Sequence, residues 1–210
     1  MNLHTAKRPD WVGQPVENLN RFQQMADKTK GFVTPGNFIT GLGMGLVYSG
    51  TRDLSQQKIL SGTLKIGIGR TMDYFDGVVA DKTKTKSPLG EAFDATADKL
   101  AIAMVGPALY KNKLVPKTEL SLVIAQNSVN AIYTIKAKNR GNEIHPSKYG
   151  KLATVSQWAF IGSSLMEKIC RDSSLLGVAN IFNKLSKASF LSFLGFGSLA
   201  SAKIIQDSNK

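Results

Sequence analysis

Residues 31–51, 120–135, 152–166 and 188–202 contain no charged side chain, and each stretch is rich in Gly, Ala, Ser and Thr. None is continuously apolar over the roughly 20 residues of a simple membrane span. With 42% apolar residues overall, hydropathy by itself would fit a basic soluble protein. Uncharged stretches of small residues fit polytopic membrane helices better, because such helices use them to bring their backbones close in lipid. Residues 59–72 and 93–110 bring the count to six, although the first contains Lys65 and the second Asp94, Asp98 and Lys99. Charge at membrane depth is costly and marks function, so their polar faces have to point inward. The expectation is an all-α, polytopic membrane protein with six transmembrane helices. On the first of these, Gly41 and Gly45 form a small-xxx-small step, read as a surface for close helix packing.

Lysine-bearing connections separate the stretches. Lys82, Lys84 and Lys86 mark one loop, and Lys136, Lys138, Arg140, Lys148 and Lys151 another, and both are expected on the cytoplasmic side. Lys111, Lys113, Lys117, Lys168 and Arg171 then fall on the opposite side. Residues 1–30 carry no apolar run of the signal-peptide kind and are expected to be a cytoplasmic segment ahead of a membrane domain at 31–210. Within them Val16, Leu19, Phe22 and Met25 recur at helical spacing beside Trp11. This predicts an amphipathic juxtamembrane helix, either lying on the membrane surface or packing on a core.

Lys and Arg outnumber Asp and Glu by 27 to 15, a net charge of +12. Such a balance draws polyanions, whether nucleic acid or anionic lipid. Charge alone would permit a soluble nucleic-acid-binding protein, but the uncharged helices favour lipid, with no nucleic-acid partner. The single cysteine, Cys170, excludes an internal disulfide framework, and His4 and His145 are too few for a His-based zinc site. Any metal must be held by carboxylates.

The acids that could do so lie close together. Asp73, Asp76, Gly77 and Ala80 stand at helical steps of three and four, and Gly90, Asp94 and Asp98 do the same farther on. Ser87 followed by Pro88 is a good N-cap and first-turn pair, so a new helix is expected to start there and run back beside its predecessor. Four carboxylates meeting in a low-dielectric setting repel one another, and one or two divalent cations resolve the conflict. Ligation by oxygen alone favours magnesium or manganese. Such ions suit phosphoryl chemistry, and Gly77 and Ala80 would let a nucleotide come close to the helix.

These residues resemble the signature of the CDP-alcohol phosphatidyltransferase family, Asp-x2-Asp-Gly-x2-Ala-Arg-x8-Gly-x3-Asp-x3-Asp. Asp73, Asp76, Gly77, Ala80, Gly90, Asp94 and Asp98 match it in type and spacing. Asn37 and Thr40 are similar to the family's Asn-x-x-Thr near the nucleotide, and Ser87-Pro88-Leu89-Gly90 to its Thr-Pro-Leu-Gly. Gly150, Lys151, Thr154 and Gln157 resemble a motif of phosphatidylglycerophosphate and cardiolipin synthases.

The resemblance implies six transmembrane helices, usually in a homodimer. It implies two divalent ions, Mg2+ or Mn2+, on Asp73, Asp76, Asp94 and Asp98, with Asp98 also the general base. Asn37, Thr40, Gly77, Ala80, Ser87 and Gly90 would lie along the CDP group, and Lys151 would attract a phosphate on the acceptor. The implied reaction transfers a phosphatidyl group from CDP-diacylglycerol to a small alcohol, glycerol 3-phosphate foremost, with release of CMP. The active site would face the cytoplasm of a bacterial-type cell membrane. The chain also departs from the pattern: Asp81 replaces the signature arginine, Gly43 and Thr118 stand where arginines are usual, and Ala153 replaces a lysine. Those departures keep two alternatives open, a non-catalytic relative that binds lipid or nucleotide and a transferase for a different alcohol.

Overall fold

The computed structural model describes residues 12, 14–141 and 147–208, which form a short 3-10 helix, Val16–Asn18, and seven α-helices. These are α1 (Arg21–Lys28), α2 (Pro35–Ser55), α3 (Ile59–Lys82), α4 (Pro88–Lys111), α5 (Lys117–Asn139), α6 (Lys148–Asp172) and α7 (Leu176–Ser208), and no strand occurs among the described residues. Trp11, His4 and His145, used in the sequence reading, lie outside them. The six long helices expected from charge and small-residue content are all present. One of them, α7, is long and apolar enough to cross a membrane.

Contacts divide the chain into two compact units, one running to Val105 and the other starting at Gly106, so that α4 contributes to both. In the first unit α2 starts where Thr34 accepts a hydrogen bond from the Asn37 amide at 3.1 Å, with Pro35 in the first turn. It packs antiparallel on α3 along a seam of glycines. A Cβ on Gly43 would lie 2.8 Å from the Gly69 carbonyl oxygen, and one on Gly50 would lie 2.7 Å from that of Gly62. Gly36 faces the Asp76 carbonyl and the Ala80 methyl in the same way, at 3.2 and 3.3 Å. Val47, Leu54 and Ile66 fill the remaining space and are buried. The seam therefore uses Gly36, Gly43 and Gly50. Gly41 and Gly45, expected to mediate packing, would meet nothing within 4 Å. They sit on the exposed side of α2, because only the seven-residue spacing returns to the α3 face along the whole helix.

The described part of the N-terminal segment packs on the chain itself. Its expected helical face is interrupted at Asn20, which caps α1 in a reciprocal capping box with Gln23. The same two residues reach the turn between α3 and α4, where the Asn20 amide donates to the Thr83 carbonyl at 3.2 Å and Gln23 to the Lys84 carbonyl at 3.3 Å. Leu19 and Ala26 are buried together, whereas Phe22 and Met25 remain exposed.

In the second unit α7 packs mainly on α6 and also on α5. Phe160 and Phe190 meet with ring centroids 5.1 Å apart, next to buried Ile161 and Leu165. The Ser164 and Ser186 hydroxyls bond each other at 2.7 Å within this apolar layer. Asn127 donates to Gln157 at 2.6 Å, and Ser201 to Asn130 at 2.6 Å.

Helix ends follow one pattern. Lys30, Gln57, Lys84, Lys113 and Ser174 all have positive φ, between 53° and 62°. In each case the next residue's amide bonds back five positions, for example Lys58 to Asp53 at 2.9 Å and Leu114 to Leu109 at 3.0 Å. This is the left-handed helix C-cap that glycine normally supplies.

Candidate active site

The second half of α3 carries Asp73 and Asp76 one turn apart, and the first half of α4 carries Asp94 and Asp98. Ser87 starts α4 as its sequence predicts, its hydroxyl accepting from the Gly90 amide at 3.0 Å. The turn between the helices is short enough to bring the two acidic faces together. Asp73, Asp76 and Asp94 each offer a carboxylate oxygen, and these oxygens lie within 4.8 Å of one another. Asp76 is buried, Asp73 half-buried.

Two further groups organise the acids. The buried Thr40 hydroxyl on α2 donates to the Asp76 carboxylate and to the Gly36 carbonyl, which orients Asp76. Arg70, one turn before Asp73 on α3, donates to Asp73 at 2.8 Å and forms a second ion pair with Asp98. Asp98 thus joins the cluster through a guanidinium. Arg70 has no part in the sequence reading, which marks residues 59–72 by Lys65 alone. Its signal was available in its helical spacing, three residues before Asp73. Lys65 itself lies in another contact, bonded to Asp53 at 2.6 Å.

The donor set fits a hard divalent cation. The three converging groups are carboxylates, with no nitrogen or sulfur ligand among them, and Thr40 holds one in place, as outer-shell partners of metal ligands do. Among the described residues Arg70 supplies the one positive charge bonded to this cluster, against four carboxylates. That leaves charge for a cation to balance.

The residues expected along a nucleotide form the neighbouring rim. The Asn37 side chain donates to the Gly31 and Phe32 carbonyls at 3.2 and 2.8 Å, and a Cβ on Gly90 would come within 3.1 Å of its oxygen. The Ser87 hydroxyl reaches the Gly31 carbonyl at 3.4 Å. Asn37, Ser87 and Gly90 are therefore together, with the Asn37 side-chain nitrogen and the Ser87 hydroxyl already engaged by the chain. Ala80 packs on Gly36, while Gly77 faces open space in which an added Cβ would touch nothing within 4 Å. Asp81, where the signature has arginine, is exposed and paired with Lys86 at 2.8 Å, so its charge is answered locally. Gly43 lies in the seam, which leaves no room there for an arginine. Lys151 lies in the first turn of α6, in the second unit, and is exposed.

A family model described as CDP-alcohol phosphatidyltransferase matches residues 33–190, about three quarters of the chain. Neither a curated protein nor a solved structure matches it.

Proposed function

The chain belongs to the CDP-alcohol phosphatidyltransferase family, and on that premise we propose that it transfers the phosphatidyl group of CDP-diacylglycerol to a small alcohol with release of CMP. Membership makes it a phosphotransferase for CDP-alcohols in phospholipid biosynthesis, in a family associated with membranes. The observation that carries the finer reading is the convergence of Asp73, Asp76 and Asp94 beside the Arg70-linked Asp98.

In this reading Asp73, Asp76, Asp94 and Asp98 hold one or two Mg2+ or Mn2+ ions. The bound metal supplies charge neutralisation for the donor pyrophosphate. Asp98 accepts the proton of the acceptor hydroxyl as that oxygen attacks the phosphatidyl phosphorus. One phosphorus–oxygen bond forms to the alcohol, the bond to CMP breaks, and CMP leaves with the electron pair. Thr40 keeps Asp76 oriented, and Arg70 holds Asp98 beside Asp73. Gly77 leaves space for the nucleotide, while Asn37, Ala80, Ser87 and Gly90 shape the rim on which it lies.

Glycerol 3-phosphate is the acceptor we favour, from the Ser-Pro-Leu-Gly and Gly-Lys segments, with Lys151 meeting its phosphate. The membrane domain spans 31–210 with six transmembrane helices, behind a cytoplasmic segment at 1–30. It acts as a homodimer with its active site towards the cytoplasm of a bacterial-type membrane.

The test incubates purified protein with CDP-diacylglycerol, Mg2+ and a panel of alcohols while following CMP. Wild type releases CMP with glycerol 3-phosphate and Asp98→Asn does not. Absence of release with every alcohol would reject transfer. A second reading, a relative that binds lipid or nucleotide without turnover, is favoured by Asp81. It requires Asp81→Arg to remain inert as well.

A further inference from the structure

The second unit contains a cavity of about 470 Å³ whose walls come from the turn before α5, the start of α5, the last turns of α6 and the facing part of α7. None of its lining residues belongs to the acidic cluster or its rim. Five cations line it, Lys113, Lys117, Lys168, Arg171 and Lys187, against two carboxylates, Glu119 and Glu167.

Of the two acids, Glu167 is committed to the protein, while Glu119 lies near Lys187. Glu167 accepts from the Asn183 amide through both oxygens at 3.0 Å and from Arg171 at 2.9 Å. Lys168 is paired with Asp172 at 2.7 Å, outside the lining. Lys113, Lys117 and Lys187 are exposed and bring three charges to one concavity, the last partly offset by Glu119. Lys117 is steadied over the Tyr110 ring, 4.7 Å from its centroid. Lys113 and Lys117 also bracket the N-terminal end of α5, where the helix dipole is already positive and basic side chains add to it. Ser164 and Ser186, whose hydroxyls bond each other, also line the cavity. Like charge gathered at a helix N-terminus around a recess is unfavourable by itself, and an anion reverses the sign of that interaction.

We propose that this cavity binds a phosphate group, supplied either by a phospholipid headgroup or by a soluble phosphate. The lysines act as point charges around it and the first-turn amides of α5 as additional donors. The site is separate from the transfer reaction and does not depend on it.

The experiment uses the full chain purified in a neutral detergent with EDTA, so that metal-assisted binding elsewhere does not contribute. One arm titrates inorganic phosphate, and the other adds short-chain phosphatidylglycerol against phosphatidylcholine, both read as a rise in Tm. The variants are Lys113→Gln/Lys187→Gln, with Lys203→Gln as an exposed control and Lys151→Gln to report the proposed acceptor site. Wild type responds to phosphate, to phosphatidylglycerol, or to both, which identifies the source. The double variant needs at least tenfold more of the effective probe, and Lys203→Gln responds like wild type. No response to either probe overturns the proposal, as does a response that survives the double variant or disappears with Lys151→Gln. Circular dichroism of the double variant confirms that the helices are retained.

Discussion

The α2–α3 and α6–α7 pairs solve the same problem, two consecutive antiparallel helices held face to face, with opposite materials. In α2–α3 the contact is backbone on backbone, with Gly43 against Gly69 and Gly50 against Gly62. In α6–α7 it is side chain on side chain, led by Phe160 against Phe190 with the Ser164–Ser186 pair beside it. A glycine seam allows almost no adjustment, because nothing in it can rotate away. An aromatic layer can repack. The first pair carries Asp73, Asp76 and Thr40, whose relative placement decides whether a cation can be held, and so the stiffer contact lies under the site.

The largest expected effect breaks that contrast directly. Gly69→Leu puts a side chain where a Cβ alone would be 2.5 Å from the Gly43 carbonyl oxygen, and it should lower CMP release by at least about a hundredfold through displacement of the acids. The same change at Gly162 on α6, where a Cβ meets nothing within 4 Å, should leave release within about twofold of wild type. Equal losses at both positions would remove the distinction.

Phe160→Ala tests the other side. Truncating this fully buried ring should cost about 3 kcal/mol of stability, read as a lower Tm, with CMP release retained in the cold. A smaller effect belongs to Thr40→Val, which removes the hydroxyl bonded to Asp76. It should weaken Mn2+ binding roughly tenfold with little change in Tm, measured by electron paramagnetic resonance. The smallest is a gain: Gln57→Gly, at a φ of 62° in the turn between α2 and α3, should stabilise by about 0.5–1 kcal/mol. A loss there would mean that the Gln57 side chain contributes more than its backbone strain costs.

Much of this was legible before the structure. Absence of charge located four of the six long helices, Ser87-Pro88 located the start of α4, and helical spacing placed Asp73, Asp76 and Asp94 on faces that meet. What remained hidden depended on which face of a helix turns inward. Gly41 and Gly45 carry the familiar small-xxx-small spacing, yet Gly36, Gly43 and Gly50 make the contact, and only the partner helix can select between the two sets. The spacing of Arg70 from Asp73 is visible in the sequence, but its link to Asp98, 28 residues away on another helix, is not. Asn37 was visible through the family resemblance and Ser87 also as an N-cap, but the bond from Ser87 to the Gly31 carbonyl belongs to tertiary structure.

The glycine seam has one more property. Glycines recur every seven residues on both helices, at 36, 43 and 50 and at 62 and 69, so sliding one helix by roughly 10 Å would again set glycine opposite glycine. The seam alone is therefore degenerate in register. The midpoint of each observed pair is residue 56, within the turn at Gln56–Lys58. A slip would move that midpoint into the body of α2 or α3. The alignment of Thr40 with Asp76 is thus selected by where the chain turns, and lengthening this turn would free the hairpin to choose a register in which the two no longer meet.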